Sequence, residues 1–178
     1  MKRLTVFFAS PRNGGNSDAL AQHFVAGARA AGHIVNEVVI RDLNINGCCG
    51  CEYCYTHQGE CAQHDDMQEI YNLLAQTDII VFATPIYYQA FPAQLKSVVD
   101  RLYVTENRTF PITGAVLLAT YATQGDEMAK QTKSYFECLV EYHDWENRGI
   151  ITVDGLDEKK DIEGNPALMK AYELGFNL

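Results

Sequence analysis

Five of the six cysteines lie in one short stretch, residues 48–61, here called the cysteine segment. Four of them follow the spacing C-x2-C-x2-C-x6-C: Cys48, Cys51, Cys54 and Cys61. Short spacings let successive thiolates converge on one centre, and four thiolates are the usual ligands of a 4Fe-4S cluster. His57 and His64 each follow a cysteine by three residues, which equally allows a mixed zinc site. Free or redox-active thiols are the third interpretation, and Cys49 is additional to the pattern in all three.

A second stretch, from Ser10 to Ser17, has the composition of an anion site. Its two glycines let backbone amides approach a ligand, and the hydroxyls of Ser10 and Ser17 and the guanidinium of Arg12 add donors. A helix N-terminus following the loop would contribute partial positive charge. The loop is neither a Walker A motif nor Gly-x-Gly-x-x-Gly. The alternative is an ordinary polar loop in which Asn16 or Ser17 caps the next helix.

Length and composition favour one globular domain, residues 1–178, because 47% of the residues are hydrophobic and only 21% are charged. The net charge of −9 argues against a nucleic-acid partner, which would need clustered basic residues. No apolar run approaches the roughly 20 residues of a membrane helix, and the first run is too short for a signal peptide. We therefore expect a cytoplasmic protein without a membrane partner, whose thiols stay reduced.

Short apolar runs alternate with stretches of helical periodicity. Five runs predict buried strands: residues 4–9, 34–40, 79–83, 115–119 and 150–153. The periodic stretches predict five helices: residues 16–31, 65–77, 92–102, 126–143 and 166–175. Asp65 and Asp66 are expected to cap the second helix, and Cys138 to lie in the core. Such alternation predicts a three-layer α/β domain with a parallel sheet covered on both faces.

Ligands of parallel sheets bind outside the carboxyl ends of the strands, at the switch in strand order. The candidate loops therefore follow strands one, three and four: residues 10–17, 85–91 and 120–125. The charged run from Asp157 to Asp161 is interpreted as a solvated loop.

Two of these loops also carry a family resemblance: Ser10-Pro11-Arg12-x-x-Gly15-Asn16-Ser17 and Thr84-Pro85-Ile86-Tyr87-Tyr88. Together with Asp65-Asp66-Met67 and Gln94-Leu95-Lys96-x-x-x-Asp100-Arg101, they make the chain similar to NADPH-dependent FMN reductases and iron–sulfur flavoproteins. This resemblance implies a flavodoxin-like fold with a five-stranded sheet of order 2-1-3-4-5. The cysteine-rich insertion would span about residues 46–64, between the second strand and the second helix.

The resemblance also implies which residues contact FMN. The phosphate would be held by Ser10, Arg12, Asn16 and Ser17. One side of the isoalloxazine ring would meet Pro85, Ile86, Tyr87 and Tyr88. Adjacent tyrosines point in different directions, so that either one of the two touches the ring or both form a packed or interfacial aromatic pair. The other side would meet Thr120, Tyr121, Ala122 and Gly125.

The implied activity is an FMN-dependent NAD(P)H oxidoreductase. NADPH or NADH would reduce the flavin, and a small acceptor such as a quinone, an azo or nitro compound, or free flavin would reoxidise it. No catalytic side chain is expected, because the flavin carries the chemistry. The alternative is an iron–sulfur flavoprotein that relays single electrons, or senses redox state, with a redox protein as partner. A homodimer or homotetramer is expected in either case.

Overall fold

A five-stranded parallel sheet forms the centre of the protein in a computed structural model that describes all 178 residues. The strands are β1 (Arg3–Phe8), β2 (Ile34–Val39), β3 (Ile79–Pro85), β4 (Gly114–Thr120) and β5 (Glu146–Val153). They are ordered β2-β1-β3-β4-β5, and every neighbouring pair is parallel. The sheet and its order, 2-1-3-4-5, confirm the flavodoxin-like prediction.

The chain has six helices, five of which cover the two faces of the sheet. They are α1 (Asn16–Ala30), α2 (Tyr53–Thr56), α3 (Met67–Leu74), α4 (Ala93–Arg101), α5 (Lys130–Tyr142) and α6 (Ala167–Phe176). Apolar residues of α1 and α6 pack on one face, and those of α3, α4 and α5 on the other. This is the predicted three-layer arrangement. None of the helices is long and apolar enough to cross a bilayer.

The inner strands are mostly apolar because both of their faces are covered. In β1, Leu4 and Val6 face the α1 and α6 layer, whereas Phe7 faces the other layer and stacks on Phe82 with ring centroids 6.0 Å apart. Strand β4 is buried along its whole length. The edge strand β2 is buried only in part, as expected for a strand with one neighbour.

The prediction that Cys138 lies in the core is wrong, because its thiol is exposed. The buried residues of α5 recur every four positions, at Thr132, Phe136 and Val140. A residue two positions after Phe136 lies on the opposite side of a helix with 3.6 residues per turn. The predicted 126–143 helix is also divided, since Asp126–Ala129 forms a 3₁₀ turn before α5 begins.

Helices α1 and α6 approach closely because each presents a glycine to the other. A Cβ atom added to Gly27 would lie 1.9 Å from the carbonyl oxygen of Tyr172, and one added to Gly175 would lie 2.2 Å from that of Phe24. Both contacts are with backbone, which cannot rotate away. The packing of this layer therefore requires residues without a side chain at both positions.

We expect Gly27→Ala to lower the free energy of unfolding by roughly 1–3 kcal/mol, because the helices must separate to admit the methyl group. Urea denaturation measures this. Gly47→Ala is the matched control, since a Cβ atom at Gly47 would meet nothing within 4 Å. Equal losses in the two variants would contradict the packing argument.

Candidate functional site

The loop after β1 forms a compact turn at the carboxyl edge of the sheet. The buried Ser10 hydroxyl accepts the N–H of Arg12 and donates to the carbonyl oxygen of Arg12, at 3.1 Å in each case. The N–H of Gly15 donates to the same carbonyl at 3.2 Å. A Cβ atom at Gly15 would lie 3.0 Å from the Ser10 hydroxyl, so a larger residue would push the turn apart.

Helix α1 begins directly from this turn without a capping side chain. Gly15 occupies the N-cap position, and no side-chain oxygen accepts a hydrogen bond from the first turn. The predicted capping role of Asn16 or Ser17 is therefore wrong, because both residues already belong to the helix. An uncapped N-terminus leaves amide donors and the positive end of the helix dipole available to an anion.

A cavity of about 180 Å³ lies where the loops after β1, β3 and β4 meet. Ten of the twelve predicted FMN-contacting residues line it: Ser10, Arg12, Asn16, Ser17, Pro85, Ile86, Tyr87, Thr120, Tyr121 and Ala122. The other two, Tyr88 and Gly125, lie outside the lining. Gly125 instead donates its N–H to the carboxylate of Asp154 at 2.7 Å.

The loop after β3 is a tight hairpin that separates its two tyrosines. Tyr87 and Ala90 exchange two backbone hydrogen bonds of 3.0 Å, and Tyr88 and Gln89 adopt left-handed φ angles of 49° and 62°. The hydroxyl of Thr132 donates to the carbonyl oxygen of Gln89 at 2.9 Å and holds the turn in place. As a result Tyr87 lines the cavity, whereas the side chain of Tyr88 is fully exposed.

Tyr121, from the loop after β4, is a buried tyrosine in the lining of the cavity. Burial raises its pKa above the ordinary value of 10, and the carboxylates of Asp126 and Asp154 add to the effect. The phenol therefore stays protonated at neutral pH and can donate a hydrogen bond. Its backbone is fixed by hydrogen bonds of 3.0 Å with Val153 and Leu156.

The loop after β5 completes the lining of the cavity. The sequence analysis did not predict that this loop takes part. Leu156, Asp157 and Lys159 belong to the lining, although the run from Asp157 was interpreted only as a solvated loop. Arg12 donates to the carbonyl oxygen of Asp157 at 3.3 Å, and the side-chain amide of Asn16 donates to that of Glu158 at 2.8 Å. The signal was available, because this loop also leaves a strand at the carboxyl edge of the sheet.

Arg41 is a further residue that sequence reasoning missed. It lies in the 3₁₀ turn after β2 and pairs with Asp18 of α1 at 3.0 Å. Burial raises the pKa of Asp18, although Arg41 and the N–H of Gly14 oppose the effect. Nothing in the spacing of these residues along the chain points to the pair.

The thiols of the cysteine segment gather around a second cavity, away from the first. Its lining contains all five cysteines of the segment: Cys48, Cys49, Cys51, Cys54 and Cys61. Neither His57 nor His64 lines it, and the ring of His57 instead stacks on Tyr53 with centroids 3.5 Å apart. No three histidine, cysteine, aspartate or glutamate side chains are grouped so that they could hold a metal ion.

A buried ion pair fixes both ends of the cysteine segment. The guanidinium of Arg101, 1% exposed, donates to the two carboxylate oxygens of Asp65 at 2.8 and 3.1 Å. It also donates to the carbonyl oxygen of Asn46 at 3.0 Å, before the segment, and to that of Gln63 at 3.4 Å, after it. Its Nε atom is buried without a partner. Arg101 therefore joins the two ends and lines the cavity between them.

The predicted capping of α3 is confirmed only in part. Asp65 accepts the N–H of Met67 at 3.2 Å, but its main partner is Arg101. Asp66 occupies the N-cap position without capping, because its carboxylate accepts the N–H of Asn44 at 2.6 Å.

Known proteins resemble this chain both in sequence and in fold. A family model described as NADPH-dependent FMN reductase matches residues 2–145. An iron–sulfur flavoprotein of Methanosarcina thermophila is 30% identical over 93% of this chain and 84% of its own length. Another, from Archaeoglobus fulgidus, is 37% identical over 52% of this chain, and the match spans only 42% of that relative. Among solved structures, an NAD(P)H:quinone oxidoreductase from Methanothermobacter marburgensis has a TM-score of 0.79 at 19% identity, covering 99% and 95% of the two chains.

The Asp65 and Arg101 pair gives a prediction with a defined pH dependence. Burial alone would raise the pKa of Asp65, but the hydrogen bonds from Arg101 and Asn46 hold it below the ordinary value of 3.8. Asp65→Asn leaves Arg101 buried without its counter-ion, so we expect a loss of roughly 3–5 kcal/mol in unfolding free energy at pH 7.

A carboxylate with a lowered folded-state pKa stabilises the fold fully above its unfolded-state pKa, and this stabilisation is lost as pH falls through the folded-state value. The difference between wild type and Asp65→Asn should therefore shrink below pH 3.8. Urea denaturation between pH 3 and pH 7 measures it. Asp66→Asn, which loses one exposed hydrogen-bond acceptor, is the control and should cost roughly 1 kcal/mol. A pH-independent difference would refute this role of the pair.

Proposed function

Because the chain belongs to the NADPH-dependent FMN reductase family, we propose that it is an FMN-dependent NAD(P)H oxidoreductase that reduces a small acceptor. Quinones, azo or nitro compounds and free flavin are the acceptor classes. The observation that carries this proposal is the convergence of an uncapped helix N-terminus, Arg12 and Tyr87 on one cavity at the β1 and β3 edge. When bound, FMN would supply the hydride and electron chemistry, and the chain would bind and orient the reactants.

The loop after β1 fits the phosphate group of FMN. The first-turn amides of α1 have no capping side chain, and Ser17 and Arg12 add a donor each at the cavity wall. The Ser10 hydroxyl, which already donates to the carbonyl oxygen of Arg12, would contribute by holding the turn in shape. Lys159 provides a second cation there. The side chain of Asn16 is occupied at both of its polar atoms by the loop after β5, so Asn16 would contribute through its backbone.

The loops after β3 and β4 fit the flavin ring. Pro85, Ile86 and Tyr87 from one loop and Thr120, Tyr121 and Ala122 from the other line the cavity. The N–H of Ile86 donates to the carbonyl oxygen of Thr120 at 2.9 Å, which fixes the two loops relative to each other. Apolar ring surface and nearby polar groups suit a flat apolar ring with a hydrogen-bonding rim. We place no acid or base here, because hydride transfer needs none.

Tyr87 is 41% exposed, so the cavity opens to solvent where a nicotinamide and an acceptor could bind in turn. Tyr88 stands fully exposed beside this opening. We propose a homodimer or homotetramer in which a neighbouring subunit covers this tyrosine. Covering it would bury a large aromatic surface and narrow the entrance to the cavity.

The second candidate function is electron transfer by an iron–sulfur flavoprotein, which the names of the curated relatives favour. A 4Fe-4S cluster would be held by Cys48, Cys51, Cys54 and Cys61, which line one cavity, and would exchange single electrons. This donor set fits the cluster chemically, and its sulfurs would have to draw closer to share it. The partnerless Nε atom of Arg101 supplies a cationic donor beside the thiols.

The thiols of the segment are not equivalent. Hydrogen bonds from the Tyr53 backbone and from Cys49, together with the charge of Arg101, lower the pKa of Cys51. Burial raises the pKa of Cys54, and neighbouring thiols add to the effect.

In this second function the net charge of −9 would favour a basic redox protein as partner.

We expect FMN-loaded protein to oxidise NADPH or NADH steadily when a quinone is present, as followed by the loss of nicotinamide absorbance. Arg12→Ala should weaken FMN binding about tenfold or more, because a charge-assisted contact with the phosphate is lost. Arg3→Ala, at the opposite end of β1, is the control and should bind FMN as wild type does.

Undiminished FMN binding by Arg12→Ala would show that the phosphate loop has been misassigned. Failure of both nucleotides, with a flavin that dithionite still reduces, would remove the enzyme assignment and leave the electron-transfer function.

The iron–sulfur proposal is tested on anaerobically purified protein. We expect about four irons per chain and a broad brown absorbance shoulder. Cys61→Ser should lose the iron, whereas Cys138→Ser, which changes an exposed thiol of α5, should retain it. Flavin bands without iron would mean that the segment holds no cluster, and zinc in the same sample would identify the other metal.

A further inference from the structure

Arg41 contacts three separate parts of the loop that follows β1. Its Nη1 atom donates to the carbonyl oxygen of Ser10 at 3.2 Å and to the carboxylate of Asp18 at 3.0 Å. Its Nη2 atom donates to the side-chain oxygen of Asn13 at 3.2 Å. A single guanidinium thus joins the start of the loop, its tip and the first turn of α1. Arg41 is not in the lining of the cavity, so it acts from behind the loop.

Asp18 explains why a cation is needed at this place. Its side chain is 10% exposed, one oxygen accepts from Arg41 and from the N–H of Gly14, and the other oxygen is buried without a partner. An isolated buried carboxylate is costly, and here it would also repel an anion bound at the same helix N-terminus. Pairing with Arg41 cancels that charge.

We propose that Arg41 is a positioning residue for phosphate recognition, which shapes the loop from Ser10 to Ser17 and neutralises Asp18 without touching the ligand. The inference rests on the proposed FMN-dependent function. It assigns to the turn after β2 a part in cofactor selection, in addition to the four loops that line the cavity beside it.

The two ends of the candidate cofactor site depend on different contacts. Arg41 supports only the loop after β1, whereas Ile86 and Tyr87 are held by backbone bonds to Thr120 and Ala90. Loss of Arg41 should therefore impair recognition of the phosphate and spare recognition of the ring. Riboflavin, which has the same ring without a phosphate, separates the two effects.

The experiment measures the dissociation constants of FMN and riboflavin for the flavin-free protein, by quenching of flavin fluorescence. For Arg41→Gln we expect the constant for FMN to rise about tenfold or more, and that for riboflavin to stay within about twofold. Arg29→Gln is the matched control, because Arg29 also pairs with a carboxylate, that of Glu37 at 2.8 Å, but lies in the last turn of α1, at the end away from the loop. It should leave both constants unchanged.

Riboflavin binding also shows that the variant is folded. If Arg41→Gln binds neither flavin, Arg41→Lys is the second variant to test. Lysine keeps the charge beside Asp18 but cannot span the three acceptors, so this variant should show the same selective loss of FMN affinity. Equal weakening of both flavins in the folded variant, or unchanged FMN affinity, would overturn the inference. If the wild-type protein bound neither flavin, both the proposed function and this inference would be wrong.

Discussion

The position of β1 between β2 and β3 is the constraint on which the candidate cofactor site depends. The chain leaves β1 through α1 on one face of the sheet and leaves β3 through α4 on the other. These connections diverge at the carboxyl edge and leave a crevice between them. The register is continuous, since Leu4 pairs with Val35 on one side and with Ile79 on the other. The loops after β1 and β3 must therefore meet in space although they are about 70 residues apart in sequence.

The cysteine segment has a different kind of support, because it contains little regular structure of its own. Only the four-residue α2 is helical, and none of its residues is buried. The segment is held instead by the ion pair of Asp65 and Arg101, whose desolvation is offset by additional hydrogen bonds to Asn46 and Gln63. Polar contacts of this kind have defined directions, so they fix where the segment begins and ends.

Hydrophobic periodicity was sufficient to predict the sheet, the layers and the loops at the carboxyl edge, because burial on two faces leaves a clear pattern in β1, β3 and β4. The features it missed depend on polar contacts between distant residues. Arg41 and Asp18 are one example, and the bonds from Arg12 and Asn16 to the loop after β5 are another. The exposure of Cys138 could have been derived, since it follows from the four-residue repeat of α5.

The short run from Ile40 to Asn46 relates the two candidate centres to each other. Arg41 at its start holds the loop after β1, and Asn46 at its end bonds to the Asp65 and Arg101 pair. Between them Leu43 and Ile45 pack against the core, and the N–H of Asn44 donates to Asp66. A run anchored at nearly every residue cannot shift at one end alone. The loop after β1 and the cysteine segment are therefore positioned by the same stretch of backbone, although their cavities share no lining residue.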